Sequence, residues 1–562
     1  MIFKLSRLLS NNTKWLEQSQ NSILSAALVI TVANILSSLS GLLRERLLIA
    51  SFFHSPQSQQ ALEAFQVAFQ VPDMLFQLLV IGALSAAFIP VFTSLKKKNE
   101  QQAFEMSSIV MNFLLLIFIT IGAVIFIFAY QLTALRTGVE FTSEQITIAA
   151  RLTRMMLFAQ FFFAISNFLT GILQSYQKFI IPAIAPIIYN LGIVAGVYLF
   201  SAQLGIYSAG LGVLMGALAH MLIQLPMAYK LGFRFRFNFL LNFPGVKSIL
   251  SLMPPRLLAI GVSEVKNLFL GFFATSIGNL SFVVLGLALR LMAIPIRLFG
   301  VPISQASLPF LSEESEEGKE RFGNLVIRSL HQIAFFAMPA SVLLLILRLP
   351  IVRIGFGAEE LPWRTTLLTS RVVAIIAISV AAQAMVQLLI RAFHALKDTR
   401  TPLIVAIFSV AVYLLISGVL VFMTDVGVYS LAIATSVSAF TELLLYVIFL
   451  YRRIKVFSTS DFWFPQLKIV LASFFMAVFL YLPYRIFDEL IFNTSRTIEL
   501  VLLTVTTSTI GMLVYIYFCA LFDIKELDYF TSMLGKFGKW RKPLQDTDEM
   551  ILESGAGGGD VT

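Results

Sequence analysis

Residues 402–424 read PLIVAIFSVAVYLLISGVLVFMT, a run without a single charged side chain. A helix that crosses a bilayer needs ~20 predominantly apolar residues, because only a helix or a closed barrel satisfies its backbone inside lipid. This stretch meets that need. The next one, 427–451, meets it too and ends on Arg452-Arg453. Working outward in both directions gives further candidate spans near 22–43, 64–94, 104–130, 148–174, 179–200, 208–230, 248–275, 280–311, 322–349, 366–394, 466–487 and 497–522. The expectation is an all-α polytopic membrane protein of about fourteen transmembrane helices. The second and eighth runs exceed what a bilayer requires, and both carry helix-breaking residues. Pro72, Gly82 and Pro90 lie in one, and Pro295, Gly300, Pro302 and Pro309 in the other. These two spans are expected to bend or break where they line protein or water, with Pro72, Gly82, Pro90, Gly300 and Pro309 as hinge candidates.

Composition agrees. Of 562 residues, 58% are hydrophobic and only 13% charged, against roughly a quarter charged in soluble proteins, and mean hydropathy is +0.85. The net charge of +10 does not point to nucleic acid, because the basic residues sit in short breaks between apolar runs, as orientation in a bilayer requires. The single cysteine, Cys519, and four histidines without a ligand spacing leave no basis for a disulfide framework or a metal centre. No phosphate-binding loop follows a strand, so ATP hydrolysis is not expected, and no catalytic constellation can be argued. The chain reads as a transporter rather than an enzyme, with no cofactor expected. Coupling to the membrane potential or to a cation such as sodium is the expected source of energy.

With the N-terminus inside, the inner loops collect Lys96, Lys97 and Lys98, Lys178, Lys230, Arg234, Arg236 and Lys247, Lys397 and Arg400, and Arg452, Arg453 and Lys455, while the opposite loops near 201–207, 276–280 and 424–427 are nearly bare. Arg348, Arg353 and Arg364 run against this pattern, but both termini inside fits better and demands an even number of spans. The opening stretch, Met1–Gln20, is polar and amphipathic, so no cleavable signal is expected.

The chain also repeats itself. Gly41 to Arg46 corresponds to Gly261 to Lys266, Gly82 to Pro90 resembles Gly300 to Pro309, and Gly171 through Pro182 resembles Arg391 through Pro402, each at a spacing of 218 to 220 residues. Six spans per copy is an even number, so the copies share orientation and form a parallel repeat about an axis along the membrane normal. The expected organisation is an inner segment 1–21, a first six-helix lobe 22–230, a second lobe 231–451, two additional helices in 452–522 and an inner tail 523–562. The tail's end, Gly555-Ala556-Gly557-Gly558-Gly559, reads as an artificial linker.

Charges inside apolar spans cost ~2.5–3.5 kcal/mol each on insertion scales and therefore face cavities, pair or snorkel. Arg44, Glu45 and Arg46 end the first span and Glu63 opens the second. Arg256, Glu264 and Lys266 lie in the seventh, and Arg290 and Arg297 in the eighth. The repeat places Arg44/Arg46 opposite Glu264/Lys266, which would bring basic groups from both lobes toward one space. Arginine forks bind diphosphate oxygens in pairs, so an anionic substrate is expected. Snorkelling to the interface explains Arg44, Arg46 and Arg297 equally well. Glu264 stands as a coupling-ion ligand or, by slight preference, the counter-ion of Arg290, and Glu45 as a second such group.

Three stretches resemble one family. Gly82-Ala83-Leu84-Ser85-Ala86-Ala87-Phe88-Ile89-Pro90-Val91-Phe92, with Ala64 to Asp73 upstream, is similar to the signature of the MurJ (MviN) family, the lipid II flippases of peptidoglycan synthesis. Gly41-Leu42-Leu43-Arg44-Glu45 resembles its first-span motif and Lys397-Asp398-Thr399-Arg400-Thr401-Pro402 its later loop. The resemblance implies a MOP-superfamily exporter of a polyprenyl-diphosphate-linked glycan in the bacterial inner membrane. It implies two six-helix lobes, alternating access, and a lipid-tail groove beside spans thirteen and fourteen. Lipids and cell-wall synthesis enzymes are the implied partners. It maps functional positions onto Arg44, Glu63 and Arg290. It also shows departures: family arginines fall on Ser38, Phe76 and Gln77, and family acids on Ile81 and Leu289. Arg297, Lys266 and Arg256 are the candidates to compensate. Other polyprenyl-linked glycans, or a non-transporting cell-wall scaffold, remain as rival readings.

Overall fold

A computed structural model describes residues 23–81, 88–278, 280–357, 361–455 and 460–528, and no strand occurs among them. In chain order the helices are α1 (Ile23–Phe52), α2 (Pro56–Ala68), α3 (Gln70–Phe76), α4 (Ile89–Lys98), α5 (Glu100–Ile127), α6 (Ala129–Arg136), α7 (Ser143–Ser175), α8 (Ile180–Leu204), α9 (Tyr207–Leu222) and α10 (Leu225–Lys230). The second half continues with α11 (Val246–Ile277), α12 (Ser281–Pro295), α13 (Val301–Glu317), α14 (Lys319–Ile346), α15 (Arg348–Phe356), α16 (Trp363–Ala377), α17 (Val380–Ala395), α18 (Arg400–Met423) and α19 (Tyr429–Ile454). Helices α20 (Ser460–Ile486) and α21 (Thr497–Leu521) close the chain. Among the described residues ten helices are long and apolar enough to cross a membrane, or eleven when α16 and α17, bent by 47° at their break, count as one span. Helices α1 and α11, of 30 and 32 residues, and the broken segment from α2 to α4 occupy the remaining expected positions.

Local chemistry sets the helix ends. Asn99 caps α5 by accepting from the Gln102 amide at 3.0 Å. Thr142 and Gln145 form a reciprocal capping box at α7, at 3.2 and 3.0 Å. At α18 the Asp398 carboxylate accepts from the Arg400 and Thr401 amides, both at 3.0 Å, and from the Thr401 hydroxyl at 2.7 Å, while Arg453 at the end of α19 pairs with it. Partial burial pushes this carboxyl up, but the bonds from Thr401, Arg453 and Arg400 outweigh it and hold Asp398 below the usual carboxylate range.

The repeat is visible in the turns. Gln177 and Lys397, 220 residues apart, both adopt left-handed backbone with φ 58°. After each, an amide reaches back to close its helix, from Lys178 to the Leu173 carbonyl and from Asp398 to the Phe393 carbonyl. Both closures have the pattern of a Schellman motif. Gly205 and Gly427 repeat the same way, each carbonyl accepting from a serine amide three residues on. Both long spans contain a wide π-helical turn, at Gln77–Ile81 and Ile296–Gly300, a feature that inserts at sites of helix irregularity. The eighth span nevertheless runs as one continuous helical segment from Ser281 to Glu316 rather than breaking. Gly300 ends the second one, where a Cβ would come within 2.9 Å of the Ala384 Cα on α17. Pro72 is buried in α3, and Pro309 lies exposed in α13. Gly82, and the side chain of Pro90, lie outside the described residues.

Packing is densest within each half. Helix α1 lies on α8, and α7 on α2 and α9; in the second half α12 lies on α16, α13 on α17 and α18 on α19. Helices α20 and α21 pair with each other and rest on α14. The closest approach is α8 on α9. A Cβ on Gly192 would stand 2.4 Å from the Gly216 Cα, and one on Gly196 2.4 Å from the Gly212 Cα. Two Gly-xxx-Gly stripes thus cross backbone on backbone, the close approach that small residues permit inside lipid.

Candidate functional site

Between the halves lies a cavity of about 640 Å³, walled by α1, α2, α3, α7, α8 and α9 on one side and by α11 and α12 on the other. Its charged centre is a bridge between the two halves. Glu45, 3% exposed, accepts from Arg44 Nη2 at 2.8 Å and pairs through its second oxygen with Arg290 of α12. Arg44 also donates to Asn190 Oδ1 at 3.1 Å, and Asn190 in turn donates to Ser40 Oγ at 3.0 Å. Helix α8 therefore holds the Arg44 guanidinium in place. The Arg290 side chain is 36% exposed, so it combines a fixed carboxylate partner with a face open to the cavity.

The remaining walls are amphipathic. Phe65, Phe69, Phe76, Phe163, Phe282 and Leu289 supply apolar surface, and Gln66, Gln160, Asn167, Thr170 and Tyr189 supply donors and acceptors. Asp73 also lines the cavity. Two arginines thus face two carboxylates, Glu45 and Asp73, so the wall is charged but nearly balanced. Phe76 and Leu289, the positions where the sequence resemblance implies charged residues, present apolar groups here.

The structure moves several expected residues out of the cavity. The counter-ion of Arg290 is Glu45, not Glu264; Glu264 is half-buried and lies near enough to Asp73 for their charges to repel. Lys266 does not line the cavity. It turns into the second half, where its ammonium stands 5.0 Å from the Tyr413 ring centroid and is attracted by Glu442, which accepts from Ser409 at 3.3 Å. The reason is azimuth: α11 packs against α18, and Lys266 points that way, toward Tyr413. Glu63 is buried beneath the wall and accepts from Gln145 Nε2 at 3.1 Å, the same glutamine that caps α7. Arg297 is exposed on the π-helical turn and Arg46 is half-buried, and neither lines the cavity. Arg256 lies in α11, with its side chain outside the described residues. Asn190, Asp73 and Glu442 escaped the sequence reading. For Glu442 the signal was available, a lone acid in an apolar span.

The end of the cavity away from Lys178 and Lys397 is closed by contacts between the halves. Arg136 donates to the Val67 carbonyl at 2.7 Å and bonds Gln70, whose amide donates to the Asn267 carbonyl on α11 at 3.1 Å. Next to this, the Gly138 amide donates to Thr275 Oγ1 at 2.8 Å, and a Cβ on Gly138 would lie 2.4 Å from the Ser276 Cα. A side chain there prevents the seam from closing as it does here. In a Thr275→Cys background, Gly138→Val is expected to raise the rate of labelling by a water-soluble maleimide at least severalfold. Unchanged labelling would show that the seam does not depend on this contact. Cys519 is buried and adds little background.

A two-half helical bundle of membrane-spanning length with a charged cavity between the halves is the architecture of a membrane transporter. The family model described as "Lipid II flippase MurJ" matches residues 57–514, and the chain belongs to the MurJ family. The lipid II flippase MurJ of Burkholderia cenocepacia is 26% identical over 451 residues, covering 79% of this chain and 86% of that protein. A protein of Bdellovibrio bacteriovorus named a probable lipid II flippase MurJ is 26% identical over 506 residues, covering 89% of this chain and 94% of that one. Among solved structures, a lipid II flippase MurJ in an inward closed conformation superposes with a TM-score of 0.72 at 24% identity, over 88% of this chain and 98% of that one. An inward-facing multidrug-resistance MATE transporter of the MOP superfamily gives 0.58 at 15% identity, over 77% and 99%. Both structures share the fold.

Proposed function

We propose that this chain flips lipid II, the undecaprenyl-diphosphate-linked peptidoglycan precursor, from the inner to the outer leaflet of a bacterial cytoplasmic membrane by alternating access. The observation that carries the reading is the Arg44–Glu45–Arg290 bridge. It sets two guanidiniums at one cavity and ties the halves together where a diphosphate would enter. Guanidinium forks match phosphate oxygens in pairs. A substrate phosphate that competes with Glu45 for Arg290 loosens the bridge, so loading and movement of the halves are linked. The polar side chains of α7 and α8 suit sugars, and the tail stays in lipid beside α20 and α21. Both termini lie inside, the membrane potential or a cation gradient supplies the driving force, and cell-wall synthesis enzymes are the partners that take up the product.

The test is rescue of a bacterium depleted of its own lipid II flippase, by the wild type and by Arg44→Ala with Arg290→Ala. Growth with the first and lysis with the second is the expected result. Equal rescue by both would remove the bridge from the mechanism and favour a scaffold. Failure of a well-inserted wild type would favour a different polyprenyl-linked glycan, which the nearly balanced wall around Phe76 and Leu289 also accommodates.

A further inference from the structure

A second pocket, of about 370 Å³, lies far from the cavity, where α14, α20 and the segment after α21 meet. Three elements each bring a cation to its wall: Arg328 from α14, Lys468 from α20 and Lys525 from beyond α21. Two carboxylates share the wall. Glu526 is turned inward, only 8% exposed, with Oε1 3.7 Å from His331 Nδ1. Asp523 is exposed, and its main-chain carbonyl lies 3.5 Å from Lys468 Nζ. The accessible charge is therefore predominantly positive.

The depth of the pocket is marked by its neighbours. Trp463 and Phe464 stand exposed just before it on α20, and the Lys468 ammonium lies 5.0 Å from the Phe464 ring centroid. Beyond Lys468 the exposed side chains of α20 are apolar for several turns, including Leu471, Phe474, Val478 and Phe479. An exposed aromatic pair followed by a lipid-facing apolar run is the pattern of a membrane–water interface. A basic pocket between spans at that level is suited to a phosphate head group.

We propose that this pocket binds the phosphate of an anionic membrane lipid, with Arg328, Lys468 and Lys525 as its donors and the acyl chains lying along the outer face of α20. The site is separate from the transport cavity and does not rest on the identity of the transported substrate. It fixes an annular lipid at the joint between the two additional helices and the second half.

The test uses the full chain in phosphatidylcholine nanodiscs, titrated with acyl-labelled phosphatidylglycerol. A basic residue near a membrane surface contributes about fivefold in affinity toward anionic lipid. Arg328→Gln, Lys468→Gln and Lys525→Gln together are expected to weaken phosphatidylglycerol binding about a hundredfold. Charge-preserving Arg328→Lys, Lys468→Arg and Lys525→Arg should bind like the wild type. Equal thermal unfolding of all three proteins in phosphatidylcholine alone shows that the comparison is between folded proteins. The proposal is overturned if the neutral variant binds phosphatidylglycerol as the wild type does, if unlabelled phosphatidylcholine competes equally, or if millimolar inorganic phosphate displaces the lipid. Failed rescue of the flippase-depleted strain with a retained lipid preference would sink the lipid II reading and leave this one standing.

Discussion

Glu45→Ala is expected to destabilise the protein by about 3–5 kcal/mol, the cost of removing one partner from a buried ion pair, and to abolish transport. The carboxylate is 3% exposed and lies between two guanidiniums from opposite halves of the molecule. Without it, Arg44 and Arg290 face each other inside the bilayer with no compensating charge, and one half must move or draw in water. The size of the effect depends on pairing, and a second variant shows this. Glu45→Met with Arg290→Met removes the bridge and its uncompensated charge together, so most of the stability should return while transport stays lost. The measurements are thermal unfolding in detergent and rescue of the flippase-depleted strain. A Glu45→Ala protein that unfolds like the wild type would mean the bridge contributes nothing to holding the halves together.

Gly216→Ala is expected to destabilise the protein by a different route. The added methyl would stand 2.5 Å from the Tyr189 carbonyl oxygen, a backbone atom of α8 that cannot swing aside. Helices α8 and α9 would have to separate along their whole crossing, at a cost of at least the ~1–3 kcal/mol typical of an overpacked core. Gly216→Leu should leave little folded protein. Gly418→Ala is the control: its methyl would meet only the Phe273 ring, at 3.9 Å. Relief of helical glycine should there stabilise by up to ~1 kcal/mol. Equal unfolding temperatures for Gly216→Ala and Gly418→Ala would show that the crossing is looser than drawn.

The sequence revealed most where the physics is local. Apolar runs announced the spans because lipid demands length and apolarity of each helix separately. The repeat announced itself through three similar stretches at one spacing, and the matching left-handed turns at Gln177 and Lys397 are its local trace in the backbone. Arg44, Glu45 and Arg290 stood out through the cost of charge in an apolar span. What sequence spacing could not supply was azimuth and partner. Lys266 seemed to belong to the cavity because the repeat matches it to Arg46 and so brings basic groups of both lobes toward one space, yet α11 turns it toward Tyr413 and Glu442. Asn190 is one ordinary polar residue in a span until α8 is laid against α1. The glycines of α8 and α9 carried a readable signal, two Gly-xxx-Gly spacings in consecutive spans, which gains its meaning only when the stripes are seen to cross.

The separations along the chain at these two contacts also set an order of assembly. Gly192 meets Gly216 only 24 residues further on, so the α8–α9 hairpin can dock as soon as its second helix leaves the ribosome. Glu45 meets Arg290 after 245 more residues have been made, which at roughly 5–20 residues per second is a delay of about 10 to 50 s. Through that interval Arg44, on the same helix and paired with Glu45 in the finished protein, is the partner at hand to compensate the carboxylate. The adjacent Arg-Glu pair is therefore a provisional neutralisation during synthesis, and the arrival of α12 converts it into the lock between the finished halves.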